Sequence, residues 1–123
     1  MLAACLALLA VPTAGGTERA ASPATATLAM VGETSPGLLA FDGALSTPRR
    51  CRTDREVRLH ARYWEWTHRH VWAPSPWHPA GRTRTAADGS FRFTAEGQGL
   101  YSVKAVIPIR ERCGRTAAAL RAS

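Results

Sequence analysis

The chain holds four tryptophans and four histidines, and all eight fall between residues 60 and 78. Trp64, Trp66, Trp72 and Trp77 stand among His60, His68, His70 and His78, with arginines interleaved at 58, 62 and 69. Two chemistries suit such a cluster. Flat aromatic rings beside Arg and His fit sugars, which present apolar C–H faces rimmed with hydroxyls. Alternatively, His68-x-His70 in an extended segment puts two imidazoles on one side, with His60 or His78 as a third metal ligand. Against these stands a plain hairpin loop whose tryptophans fold back over an open sheet face. Glu65 is the one carboxylate between residues 64 and 80, so a complete catalytic metal centre has little support, and neither metal nor cofactor is assigned. Trp64 and Trp66 share strand parity and therefore one face. With Trp72 and Trp77 reaching over, and His68 and His70 alongside, they are the candidate ligand- or partner-binding set.

Catalysis is not expected. The chain lacks a Gly-x-Ser-x-Gly elbow, paired carboxylates and a phosphate-binding glycine loop. Ser90 and Ser102 occupy strand positions with no evident base. A binding module is the expected class.

The elements that must position this cluster follow a period of two. Leu38 to Leu45 alternates as a first strand. In Glu56 to Trp66, Val57, Leu59, Ala61 and Tyr63 face one way and Arg58, His60, Arg62 and Trp64 the other. Residues 67 to 80 carry Pro74, Pro76 and Pro79 and read as loop. Arg82 to Thr85 reads as a short edge strand. Asp88-Gly89 then forms a tight hairpin turn into Ser90 to Thr94, with Phe91 and Phe93 on one face. In Leu100 to Ile109, the residues Tyr101, Val103, Ala105, Ile107 and Ile109 share a face, and Pro108 marks a sheet edge. Thr116 to Arg121 is either a closing strand or a frayed helix. The predicted core is Val57, Leu59, Tyr63, Phe91, Phe93, Tyr101, Val103, Ala105 and Ile107. About seven short strands without a convincing amphipathic helix argue for a small antiparallel β-sandwich.

The N-terminus points to export. Leu2 to Val11 is almost purely apolar, too short for a transmembrane helix and suited to a signal-peptide core. Cleavage after Gly15 or Ala26 meets the small-x-small rule. The expected organisation is a signal peptide over 1–26, a flexible linker over 27–36 and a sandwich over 37–123 with an aromatic insert at 64–80. No stable membrane span is expected. Leu2-Ala3-Ala4-Cys5 has the look of a lipobox, but it precedes the apolar run instead of following it. With Cys5 removed, Cys51 and Cys113 are the two cysteines left, an even number in an oxidising compartment. They are expected to be bonded; the rivals are two free thiols or half a metal site.

The net charge is +7, and Lys104 is the sole lysine. Such a balance favours anionic envelope polymers or a plain solvated basic surface. No nucleic-acid motif is present, so nucleic acid is not an expected partner.

Thr85-x-x-Asp88-Gly89-x-Phe91-x-Phe93, followed by Gly99-x-Tyr101-x-Val103, resembles the carboxypeptidase regulatory-like domain. The resemblance covers about residues 37 to 113. It implies a transthyretin-like (prealbumin-like) β-sandwich, close in style to an Ig-like one, used as a spacer, interaction module or accessory folding unit. A cysteine before the second strand and another after the Gly-x-Tyr strand also resembles small secreted bacterial proteins of this type. The transthyretin-like hydrolase shares the fold, but its C-terminal Tyr-Arg-Gly-Ser is absent here; the chain ends Leu120-Arg121-Ala122-Ser123. The aromatic insert has no counterpart in the family. The expected function is that of a secreted module contacting a protein partner or an anionic polysaccharide. The alternatives are carbohydrate binding by Trp stacking and, less so, a histidine metal binder.

Overall fold

The computed structural model describes residues 22–122. The apolar N-terminal run, Cys5 and the Gly15 cleavage position lie outside the described residues. Eight strands form: β1 (Thr25–Ser35), β2 (Leu38–Ser46), β3 (Glu56–Trp66), β4 (Trp72–Pro74), β5 (His78–Arg84), β6 (Ser90–Glu96), β7 (Leu100–Ile107) and β8 (Thr116–Arg121). A 3₁₀ turn, Arg49–Cys51, lies between β2 and β3. One antiparallel sheet has the order β1-β2-β6, and the other runs β4-β3-β7-β8 with β5 also paired to β3. The architecture is the expected all-β sandwich.

Alternation explains the core. Phe41, Leu45, Phe91, Phe93 and Ala95 from the small sheet meet Val57, Leu59, Ala61, Val103, Ala105 and Ile107 from the large one, all buried. Phe41 and Phe93 are register partners and stack with centroids 5.2 Å apart. Gly43 leaves the room that the Phe91 ring fills; a Cβ there would overlap the ring. Cys51 and Cys113 are disulfide-bonded, with Cα atoms 5.3 Å apart. Closing a loop of this length stabilises by about 4 kcal/mol in the chain-entropy model.

Several expectations are corrected. Residues 27–36, expected as a flexible linker, lie almost wholly in β1, which pairs antiparallel with β2. Ala24, Ala26 and Leu28 pack against the core while Thr25, Thr27 and Ala29 face solvent. Small residues in that alternation look like linker composition. The region 67–80, expected as a loop, contains β4 and the start of β5. Thr116 to Arg121, open between a closing strand and a frayed helix, is the strand. The Asp88-Gly89 turn does not close a hairpin within one sheet: β5 belongs to the large sheet and β6 to the small one. The turn itself is tight, with Asp88 Oδ1 accepting from the Ser90 amide and hydroxyl. Gly89 sits at φ 88°, and a Cβ there would strike the Leu45 carbonyl. Ile109 lies beyond the end of β7 and is exposed.

Tyr101 is also corrected, and this bears on function. It was expected on the inner face with Val103. The pairing of β3 with β7 shifts register between Arg62 and Tyr63: Arg62 faces Ser102, but Tyr63 faces Leu100. The bulge leaves one extra residue on β7. Leu100 takes the inner position, 3% exposed, and Tyr101 turns onto the outer face.

A buried arginine was not foreseen. Arg55 is 1% exposed. Its guanidinium donates to the carbonyls of Cys51 (2.7 Å), Pro108 (2.9 Å) and Gly114 (2.9 Å). Burial, with the positive charge of Arg110 adding to it, pulls its pKa below the ordinary arginine value. Thr85, the first residue of the family-like motif, is buried beside it. Its hydroxyl donates to the Arg52 carbonyl and accepts from the Arg55 amide.

Candidate binding face

β3 carries the candidate residues. Because inner positions 57, 59 and 61 are buried, Arg58, His60, Arg62 and Trp64 fall on the outer face of the large sheet. Lys104 stands opposite His60 on β7, and Arg121 opposite Ser102 on β8. Trp77 arrives by a different route. Between β4 and β5, buried Ser75 ties the strand to Tyr63: its amide donates to the Tyr63 carbonyl and its hydroxyl accepts from the Tyr63 amide. The chain then detours through Pro76 and lays the Trp77 ring over the outer face.

Cations and rings alternate there. Lys104 Nζ lies 4.5 Å from the Trp77 centroid, and Arg62 Cζ is 5.4 Å from the same ring. Arg62 is also 5.3 Å from the Tyr101 ring, whose other cation, Arg121, is at 4.7 Å. The result is a row: Lys104, Trp77, Arg62, Tyr101, Arg121. Arg62 Nε is fixed by the Ser75 carbonyl at 2.7 Å. Each such contact contributes about 0.5–1 kcal/mol at a surface. More important is orientation. A ring face offers no lone-pair acceptor, so a cation resting on it keeps N–H donors for another partner.

The carboxylates of Glu56, Asp54 and Asp42 find their arginines elsewhere. Glu56 pairs with Arg58 and Arg82, Asp54 with Arg84, and Asp42 with Arg92. Among the described residues no carboxylate pairs with Arg62 or Lys104. His60 lies between these cations. Burial, then the charges of Lys104 and Arg58, hold its pKa below the usual histidine value. Its Nδ1 is buried without a hydrogen-bond partner.

The other tryptophans continue the strip toward the β3–β4 tip. Trp64 meets Tyr101 edge-on at 5.0 Å. Trp66 and Trp72 are register partners, in edge contact at 5.5 Å. Beyond Tyr63, which faces Leu100, β3 pairs with β4 alone, so the tip projects past the end of β7. The tip is a three-residue turn, His68-Arg69-His70. His70 donates its amide to the Thr67 carbonyl, and Thr67 donates to Val71. His70 takes the left-handed position at φ 63°, where this turn requires positive φ. Its ring is 6.1 Å from Trp66. Trp64, Trp66 and Trp72 are 38%, 55% and 62% exposed. Trp77 is half-buried under its two cations.

The proposed stacking residues are thus one continuous face, with Trp64 as the junction between tip and sheet. His68 and His70 are exposed at the tip, whereas His60 lies on the sheet and His78 at the start of β5. Among the described residues, no three His, Cys, Asp or Glu side chains converge as metal ligands. A surface cavity of about 650 Å³ lies away from this face, between β2, the start of β6 and residues 84–86, and the Arg92–Asp42 pair lines it.

Sequence reasoning missed the parts played by Arg62, Lys104, Arg121 and Tyr101. Period two did place Arg62 outward, but the β-bulge that brings Tyr101 beside it leaves no mark in the alternation. No helix among the described residues is long and apolar enough to cross a membrane. Compared with known proteins, the chain matches no family model, no curated protein and no solved structure.

Proposed function

We propose that this chain is an exported, non-enzymatic module of the carboxypeptidase regulatory-like type, whose outer large-sheet face binds an anionic polymer. The observation that carries this reading is the row Lys104–Trp77–Arg62–Tyr101–Arg121. Rings lie against the cations along the sheet, and among the described residues no carboxylate pairs with Arg62 or Lys104. A net charge of +7 supplies long-range attraction to the same class of partner. Export is supported by the Cys51–Cys113 disulfide, since such bonds persist in oxidising compartments. Cleavage after Gly15 keeps β1 whole, whereas cleavage after Ala26 removes its first two residues; the former is the site we favour.

The test is binding to an immobilised carboxylated polysaccharide such as alginate, measured across a salt series. Affinity should fall steeply as salt approaches about 0.5 M, where screening acts within a few ångströms. The double variant Arg62→Gln, Lys104→Gln should weaken binding by about tenfold or more, roughly 1.4 kcal/mol. Binding that ignores both salt and the double substitution refutes this reading.

A further inference from the structure

The cationic row and the tryptophan tip differ in what they offer, and the difference narrows the ligand. On the sheet, the rings of Trp77 and Tyr101 are already covered by cations, so that half presents charge. At the tip, Trp64, Trp66 and Trp72 are the exposed rings, so that half presents apolar faces. The two halves touch through the Trp64–Tyr101 contact and share one side of β3.

Resting on the polyanion reading above, we infer that the occupant is an acidic polysaccharide lying lengthwise along β3, its carboxylates on the sheet cations and its sugar rings on the tip tryptophans. A phosphate polymer would use the cations and leave the tip idle. A neutral glycan would use the tip and leave the row idle. An acidic glycan is the polymer chemistry that carries anionic groups and apolar C–H faces on the same repeating backbone. Geometry supports a linear occupant. Trp66, Trp64, Arg62 and His60 succeed one another at two-residue intervals, about 7 Å each in extended chain. The face is also prepared before binding: the turn at His68-Arg69-His70 and the Trp66–Trp72 edge contact fix the tip rings, so little ordering is left to be done.

The experiment compares three soluble polymers, alginate, neutral dextran and inorganic polyphosphate, with the mature protein and its Trp66→Ala, Trp72→Ala double variant. Anionic phospholipid vesicles form a fourth arm. Intrinsic tryptophan fluorescence and calorimetry give the affinities. The expected result is alginate binding with a change in tryptophan emission, weakened about tenfold or more by the double variant. Polyphosphate should bind more weakly and be indifferent to that variant, and dextran should be weakest. The double variant should keep the wild-type melting transition, because both rings are exposed. If alginate and polyphosphate bind equally and neither responds to the tip substitutions, the glycan inference falls while the polyanion reading stands. If no polyanion binds, both fall. Vesicle binding that exceeds alginate binding and depends on the tip also overturns the inference, in favour of a lipid surface.

Discussion

Arg55→Met removes the most heavily used buried polar group while keeping an apolar stem of similar reach. The guanidinium holds three carbonyls, those of Cys51, Pro108 and Gly114. Each buried acceptor left without a donor costs about 1–3 kcal/mol. The bond to Cys51 is fully buried, whereas those to Pro108 and Gly114 are partly buried and admit water. Assigning about 2 kcal/mol to the first and about 1 kcal/mol to each of the others gives about 4 kcal/mol. Removing the charge also relieves its own desolvation, which offsets part of this and leaves about 3 kcal/mol. In a domain of this size, that lowers Tm by roughly 12–24 °C. The assay is thermal unfolding of the oxidised protein followed by far-UV circular dichroism, with urea unfolding as a second measure. The three carbonyls flank the disulfide, so Arg55 and the Cys51–Cys113 bond tie down the same segment. Repeating the comparison on reduced protein should therefore give a smaller cost for Arg55→Met. A loss below about 1 kcal/mol in the oxidised protein, or one unchanged by reduction, refutes the argument.

Phe93→Ala should destabilise by about 3–5 kcal/mol, because it removes a buried ring stacked on Phe41; a chemical-denaturation midpoint with an unchanged slope measures it. Gly89→Ala should lower the melting temperature sharply, since both the positive φ and the Leu45 carbonyl oppose a Cβ there. Reduction of the disulfide should cost about 4 kcal/mol, read from paired melts with and without reductant. His60 gives a pH dependence. Its folded pKa lies below the unfolded value of about 6.5, so the unfolded chain takes up the proton first. The associated stability is complete above about 6.5 and is lost as pH falls through it. His60→Asn should flatten the decline in Tm between about pH 7 and pH 5, and an unchanged decline counts against the assignment.

Strands with strong alternation were legible in the sequence. Val57, Leu59 and Ala61 point inward, as do Phe91 and Phe93, because branched and aromatic residues every second position have one way to be buried. The disulfide was legible too, from the even number of cysteines left once the expected signal peptide is set aside. β1 was not, because Thr25, Ala26, Thr27 and Ala29 contribute too little apolar volume to stand out from linker composition. Tyr101 was misplaced for a different reason: a bulge is a relation between two strands, and one strand's alternation does not record it. Arg55 looked like any other arginine, since what buries it is the carbonyl cage formed by residues far along the chain. At the candidate site, the clustering of tryptophan and histidine was plain. Which tryptophans lie under cations and which stand exposed depends on the detour at Ser75, and three prolines disguised that detour as loop.

Among the described strands β6 pairs with β2 alone, yet its neighbours along the chain, β5 and β7, both belong to the opposite sheet. The β1–β2 and β3–β4 pairings form between near neighbours in sequence, but β2 must wait for some fifty residues of chain before β6 reaches it, as in the Asp42–Arg92 partnership. Loop closure over such a span has to precede the contacts that reward it, which makes folding slow relative to a domain of local hairpins. It also couples the two layers kinetically. The small sheet cannot be completed until the chain has passed through the large one and returned, so a chain cut between β5 and β6 leaves both halves with an unfilled layer. Such halves should not fold apart, and the domain should gain and lose its structure in a single step.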